Sequence, residues 1–167
     1  MSIQIFSAIE ELVERYGKVA LCSIVKTSGS TPLREGARML VLPDKTTIGN
    51  VGGNALELAT IQKAIEAMNT GTSTLLTYNL VKDLKMCCGG SVQVFVEVIT
   101  SPSILVIFGA GHIGSALANF ATTLNFKVIV VDDREERLRR LPTNNRMIKT
   151  IFRTCPEDFV NEYMGLY

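Results

Sequence analysis

Residues 104–133 read ILVIFGAGHIGSALANFATTLNFKVIVVDD, and this stretch decides the fold. Its first five residues, 104–108, are all apolar and predict a buried strand. Gly109-Ala110-Gly111-His112-Ile113-Gly114 follows at once as G-x-G-x-x-G. Residues 115–124 then carry helical periodicity, with Leu117, Phe120, Ala121 and Leu124 on one apolar face. Asn125 stops that helix, residues 128–131 form a second apolar run, and Asp132-Asp133 closes it. The glycine pattern alone is a weak signal. Here it follows a strand, opens a helix and has an acid about 20 residues on, which is the context a nucleotide-binding βαβ unit requires.

The physical reading gives each glycine a task. Gly109 permits the tight turn out of the strand, Gly111 lets a phosphate approach the backbone, and Gly114 lets the helix lie close to the sheet. Free N–H groups and the positive end of the helix dipole face the anion. Asp132 is expected at the strand tip, accepting hydrogen bonds from a ribose hydroxyl. The same glycines would also serve a βαβ unit that needs them for packing alone.

Outside this stretch, composition bounds the function. The chain has 167 residues, room for one large or two small domains. Apolar residues make up 47%, enough for a real core. Seventeen basic against sixteen acidic residues leave a net charge of +1, and no basic stripe argues for nucleic acid. No apolar run reaches the roughly 18 residues that span a bilayer. The first residues, MSIQIFSAIEELVERYG, carry acids at helical spacing and do not read as a signal peptide. Cys22, Cys87, Cys88 and Cys155 form no C-x-x-C pair, and with one histidine in the chain a zinc site is not expected. A reducing cytoplasm fits this cysteine usage.

The remaining elements follow in order. Ser2 can cap a first helix with Ile5, Ile9, Leu12, Val13 and Tyr16 as its stripe, stopped at Gly17. Strands are expected at 19–27, 38–42, 74–78 and 91–99, the last alternating apolar and wetter positions. Between the first two lies Ser28-Gly29-Ser30-Thr31-Pro32, a hydroxyl-rich turn, followed by Arg34, Gly36 and Arg38. Gly49-Asn50-Val51-Gly52-Gly53 opens a helix over 54–68 whose core face is Leu58, Ile61, Ile65 and Met68. Cys87-Cys88-Gly89-Gly90 precedes the fourth strand. Residues 100–103 read as a linker, so the domains are set at 1–102 and 103–167. The second domain continues with a short helix over 135–141, a third strand over 147–152 and a last helix over 156–164. The fold class is therefore α/β: a mixed α+β domain followed by a partial Rossmann-like parallel sheet of about three strands.

Taken together these landmarks resemble the XdhC/CoxI family, maturation factors for molybdenum hydroxylases such as xanthine dehydrogenase. The matching blocks are Thr27-Ser28-Gly29-Ser30-Thr31-Pro32, Gly36-Ala37-Arg38-Met39, Gly52-Gly53 with Glu57, Cys88-Gly89-Gly90 with Val92 and Glu97, Gly109-Ala110-Gly111-His112 and Val131-Asp132-Asp133-Arg134. The resemblance implies a non-catalytic accessory protein. It would bind the molybdenum cofactor (molybdopterin, with a dinucleotide form allowed), assist its sulfuration and deliver it to an apo molybdenum hydroxylase, with a cysteine desulfurase as a further partner. Family members continue further and complete the Rossmann domain, so an open sheet edge and a homo-oligomer, a dimer across a two-fold axis, are expected here.

Placed on these blocks, the expected cofactor-binding set is Gly109, Gly111, His112, Gly114 and Asp132 in the second domain and Ser30, Arg38, Gly52, Gly53, Glu57, Cys88 and Gly89 in the first. The glycine loop would hold a phosphate or nucleotide part, and the N-terminal loops the pterin or metal part. Cys88 falls on the family's cysteine position, which implies a contact to sulfur or molybdenum. His112 would donate to a phosphate or metal oxygen, or would simply be solvated. Arg38 pairs with a phosphate, or with Glu57 or Glu35. Two other functions compete. A nucleotide-sensing module with an NAD-binding Rossmann domain would share the glycine loop but has no need of the N-terminal blocks. An NAD(P)-dependent oxidoreductase would need a catalytic pair that the sequence does not show.

Overall fold

The computed structural model describes residues 2–87, 89–142 and 145–163. Its elements run α1 (Ser2–Tyr16), β1 (Lys18–Ser28), β2 (Arg38–Val41), β3 (Thr47–Gly49), α2 (Asn54–Thr70), β4 (Thr74–Asn79), β5 (Ser91–Thr100), β6 (Ile104–Phe108), α3 (His112–Thr123), β7 (Lys127–Asp132), α4 (Glu135–Leu138), β8 (Ile148–Phe152) and α5 (Pro156–Tyr163). The backbone divides into two units, residues 1–101 and 102–167.

In the first unit β1 is the spine. Val19, Ala20, Leu21 and Cys22 are all buried, so this strand reads as a continuous apolar run with both faces covered. It pairs antiparallel with β2 on one side and β5 on the other, giving the order β3-β2-β1-β5-β4. Alternation then sorts the layers. Ala20, Cys22, Ile24, Met39, Val41, Val92, Val94 and Val96 pack against α2. Val19, Leu21, Leu40 and Leu42 pack against Ile5 and Val13 of α1. Cys22 belongs to this core, and burial pushes its thiol up to about 12. A register shift between Ile24 and Lys26 bends the end of β1 away from the regular ladder.

The second unit is a parallel sheet of order β6-β7-β8. Helices lie on both faces. Ala118 and Ala121 of α3 and Leu138 of α4 pack with Ile107, Val128 and Val130, while Phe159 of α5 packs with Ile129, Val131 and Ile151. This is the first half of a doubly wound arrangement, as expected from the strand, glycine loop and helix order.

The α1 stripe of Ile5, Ile9, Leu12, Val13 and Tyr16 packs inward as expected, and so do Ile61, Ile65 and Met68 of α2, but other positions of α2 and α3 differ from the reading by size. In α2 the fully buried positions are Leu56, Thr60 and Ala64, with Ala67 and Met68 beside them, while Leu58 is 61% exposed. In α3 the contrast is sharper: Ala118 is 0% and Ala121 3% exposed, whereas Phe120 is 62% and Leu124 58%. Close approach of helix to sheet selects small residues at the contact, so the alanines turn inward and the large apolar side chains turn out.

This inversion is testable by urea unfolding. Ala118→Val should cost about 1–3 kcal/mol through overpacking. Phe120→Ser should stay within about 0.5 kcal/mol of the parent, as an exposed substitution does. A larger loss at Phe120 than at Ala118 would show that the helix face has been assigned the wrong way round.

Candidate functional site

In the first unit, three loops converge at the end of the sheet where β1 leaves and β5 enters. The crossings are too close for side chains. A Cβ on Gly90 would stand 2.5 Å from the carbonyl oxygens of both Ser28 and Ser30, and one on Gly29 would stand 3.1 Å from Gly90 Cα. Gly90 N–H donates to the Ser30 carbonyl at 3.1 Å, and Leu80 N–H donates to the Gly90 carbonyl at 3.0 Å. The loop before α2 joins the same cluster. A Cβ on Gly52 would meet Pro32 Cγ at 3.0 Å, and one on Gly53 would meet Met86 Cε at 2.9 Å. Gly52 also has φ +139°, a conformation that favours glycine.

This crossing frames an open, solvent-facing pocket of about 660 Å³ lined by Thr27, Gly29, Ser30, Thr31, Arg34 and Glu35, of which Gly29, Ser30, Arg34 and Glu35 are exposed. Its donor set is hydroxyls, one guanidinium and one carboxylate. Glu35 Oε1 accepts the Thr27 N–H at 2.9 Å, with Thr27 Oγ1 at 3.5 Å. Among the described residues the Arg34 guanidinium has no carboxylate partner.

The expected residues distribute unevenly over this site. Ser30 lines the cavity. Gly52 and Gly53 hold its walls together rather than lining it. Glu57 sits half-buried in the first turn of α2. Gly89 is exposed, with nothing within 4 Å of where a Cβ would stand. Cys88 lies outside the described residues, and its neighbour Cys87 is exposed. Arg38 is a correction: its guanidinium lies 5.3 Å from the centre of the Phe6 ring on α1, not at a glutamate and not in the cavity. Parity explains it, because Leu40 faces α1 and Arg38, two residues earlier on the same strand, must share that face. Arg34, four residues earlier, lines the pocket instead. The signal was present in the sequence as strand alternation through Arg38, Leu40 and Leu42.

In the second unit, the glycine loop follows the expected geometry in part. Gly109 has φ +104°, so the turn needs glycine there. A Cβ on Gly114 would stand 1.8 Å from the Gly109 carbonyl oxygen, which fixes this position as glycine. Gly111 precedes the first residue of α3, in extended conformation at φ −69°, and a Cβ there would lie 3.4 Å from an Arg137 guanidinium nitrogen. Arg137 has no carboxylate partner among the described residues. His112, the first residue of α3, lines a shallow groove along the outer apolar face with Ile113, Ala116, Leu117 and Phe120.

Asp132 is buried, and its carboxylate is already occupied. Oδ2 accepts the Ala110 N–H at 2.6 Å and an Arg134 guanidinium N–H at 3.0 Å. Oδ1 accepts the Arg134 backbone N–H and Nε–H, both at 2.8 Å. Four donors fill the acceptor sites of a carboxylate, so the expected ribose hydroxyl meets no open lone pair. Asp132 instead ties the glycine loop to the tip of β7. The Arg134 side chain, and after it the two backbone N–H groups, hold this carboxyl well below the usual carboxylate range. Asp133 beside it has a side chain 60% exposed and lies 3.2 Å from Arg134 Nε.

Among the described residues no group of three or more His, Cys, Asp or Glu side chains could hold a metal ion. No helix of the described residues is long and apolar enough to cross a membrane.

Comparison with known proteins agrees with the sequence blocks. A model described as the XdhC and CoxI family matches residues 12–79, and one described as the XdhC Rossmann domain matches residues 105–162. The uncharacterized protein YqeB of Escherichia coli (strain K12) is 32% identical over 140 residues, 81% of this chain and 26% of its own length. The chain thus spans about a quarter of the length of that curated relative. A crystal structure described as a xanthine dehydrogenase from Bacillus halodurans matches with a TM-score of 0.47 and 18% identity, over 94% of this chain and 70% of that one. The chain belongs to the XdhC and CoxI family.

The Asp132 clamp predicts a pH dependence. A carboxyl with a depressed folded-state pKa stabilises above its unfolded value and loses that contribution as pH falls through the folded value. Asp132→Asn should lower stability at pH 7 by about 2–3 kcal/mol, the scale of hydrogen bonds to a charged group. The gap between the two proteins should narrow below about pH 4, where the unfolded aspartate protonates. Urea unfolding across pH checks both, and a gap constant from pH 7 to pH 2 would assign Asp132 a neutral packing role.

Proposed function

We propose that this chain acts as an accessory protein for a molybdenum hydroxylase of the xanthine dehydrogenase type. In this reading it holds the molybdenum cofactor during sulfuration and passes it to the apo enzyme. The observation that carries the reading is the loop crossing of the first unit. In a member of the XdhC and CoxI family, glycines without room for side chains build a polar cavity of about 660 Å³.

The residues fit the organic part of such a cofactor. Thr27, Ser30 and Thr31 supply hydroxyls, and Arg34, without a carboxylate partner among the described residues, supplies a cation for an anionic group. The cofactor itself brings the molybdenum and sulfur chemistry. The chain binds, orients and shelters, and no side chain is assigned a catalytic role. The metal end falls to Cys88 on the family position, with a sulfur donor such as a cysteine desulfurase as the second partner. In the second unit, the Gly109–Gly111 turn, the start of α3 and Arg137 suit a phosphate or nucleotide part. Exposed Asp133 is the acid that remains to meet a ribose. A cytoplasmic setting belongs to the same reading. So does self-association: β6 pairs only with β7 among the described strands, and it is an uncharged edge with Ile104 36% and Phe108 48% exposed.

Anaerobic purification with mass spectrometry of the co-purifying ligand tests the assignment. A molybdenum-bearing pterin is expected. NAD without any pterin would favour the nucleotide-sensing module instead. Gly111→Asp should keep the fold, because aspartate is a good residue ahead of a helix and can pair with Arg137, yet it should weaken binding of a cofactor phosphate at least about tenfold by occupying the anion position. Full affinity in that variant would remove the phosphate role of the loop. Cys88→Ala should slow transfer to the apo hydroxylase, and unchanged transfer would remove Cys88 from the site. Light scattering after size exclusion should show a dimer, and a clean monomer would sink the self-association.

A further inference from the structure

The two sheet edges of the first unit are not alike. β3 is three residues long and ends in glycine, and so short an edge gives another strand little to pair with. β4, at the other edge, reads Thr74-Leu75-Leu76-Thr77-Tyr78-Asn79, with no charge, no proline and an unbroken register against β5. It lacks the devices that guard an edge against pairing. Its main-chain direction follows from one bond. Leu80 N–H, just past β4, donates to the Gly90 carbonyl, just before β5, at 3.0 Å, and antiparallel residues alternate in the side to which both main-chain groups turn. Thr74, Leu76 and Tyr78 therefore bond to β5, while Leu75 and Thr77 turn N–H and C=O outward. Asn79 also turns outward, but its N–H donates to Asp83 Oδ2 at 2.7 Å and its carbonyl accepts the Asp83 N–H at 2.9 Å. Among the described residues no hydrogen bond meets the outward groups of Leu75 and Thr77. Apolar side chains flank this opening on both faces. Leu75 is 54% exposed and lies opposite Phe95, itself 37% exposed. On the other face Leu76 and Tyr78 pack against the core yet stay half-buried.

We infer that β4 is a pairing edge and that its occupant is β4 of a second copy of this chain, antiparallel about a two-fold axis through Leu76. The open groups select that register. Pairing about Leu76 sets Leu75 opposite Thr77 of the second copy and Thr77 opposite its Leu75, so every outward N–H of the two strands finds a carbonyl and the Asn79–Asp83 closure stays intact. Residues of like parity then share a face: Leu76 meets Leu76 on the core side, Thr74 meets Tyr78 beside it, and Leu75 meets Thr77 on the outer side. An uncharged strand meets itself without like-charge repulsion, and a two-fold contact closes on itself. The opening is short and symmetric about its centre, which suits a copy of itself. A longer foreign strand would run past residue 79, where the main chain is already occupied. The inference rests on the self-association of the proposed reading and places its axis in the first unit, apart from what the loops hold.

Light scattering of the full chain after size exclusion reads the pairing, and the parent should run as a dimer. Thr77→Pro removes one outward N–H, a change that an edge strand tolerates. Leu75→Lys puts a charge on the edge and keeps the test standing if proline unfolds the strand. Each should weaken the dimer at least about tenfold with an unchanged far-ultraviolet circular dichroism spectrum. Hydrogen exchange should show the Leu75 and Thr77 amides protected in the dimer and released on dilution. Cross-linking reads the register, in a chain with Cys87, Cys88 and Cys155 replaced by serine. Leu76→Cys should form a disulfide between copies, since facing residues of a non-hydrogen-bonded pair stand about 4.5 Å apart. Thr77→Cys, opposite Leu75, should not. A dimer unchanged in both edge variants, or cross-linking as efficient at 77 as at 76, overturns the inference and leaves self-association to β6. A monomeric parent overturns both. Protection of the β4 amides that appears only on adding the apo hydroxylase gives the edge to a foreign strand and overturns the second copy. The cofactor-holding role is read separately, by the co-purifying ligand, and none of these outcomes bears on it.

Discussion

Backbone passes backbone in both units more closely than a side chain allows. A Cβ on Gly114 would stand 1.8 Å from the Gly109 carbonyl oxygen, and one on Gly90 would stand 2.5 Å from two carbonyl oxygens of the hydroxyl loop. Such separations are far inside van der Waals contact, so these positions are fixed as glycine by exclusion and not by flexibility. The rest of each site follows from that approach. In the first unit the crossing holds the hydroxyl loop over the end of the sheet and leaves the polar cavity beside it. In the second it seats the start of α3 under the glycine turn, so that free N–H groups point to where an anion would come.

The same constraint explains what could be read from the sequence. Apart from the short strand β3, element types and their order were legible because apolar period and turn glycines are local signals: the helix stop at Gly17 is where the chain places it. Helix faces were legible in part: the α1 stripe and Ile61, Ile65 and Met68 of α2 pack inward as read, whereas Leu58 and the large residues of α3 do not. A reading by side-chain size puts Phe120 and Leu124 inward, but a helix lying close to its sheet admits only Ala118 and Ala121 there. Thr60, fully buried in α2, was invisible for the same reason. The site was half legible. Ser30 and the glycines came from motif spacing, while the exchange of Arg38 for Arg34 depended on which face of β2 each residue of the alternation meets.

Charged groups sort into two classes by whether the fold answers them. Asp132 receives four donors inside the chain, and that saturation makes it a structural tie between the glycine turn and β7. Among the described residues Arg34 and Arg137 receive no carboxylate, and Glu35 accepts from Thr27. A motif reading treats the acid at the end of the second Rossmann strand as the ligand group because of its place in the pattern. Hydrogen-bond accounting adds to this that Asp132 already accepts from the Ala110 and Arg134 backbone and from the Arg134 side chain.

Among the described residues the strongest shifts, at buried Cys22 and clamped Asp132, fall on groups used for packing and tethering. The polar groups left open are a guanidinium, a carboxylate fixed at one oxygen and a set of hydroxyls. Those groups can recognise and retain a ligand through charge and hydrogen-bond direction. The proposed holding role asks the protein for that recognition alone, since the reactive atoms belong to the molecule held.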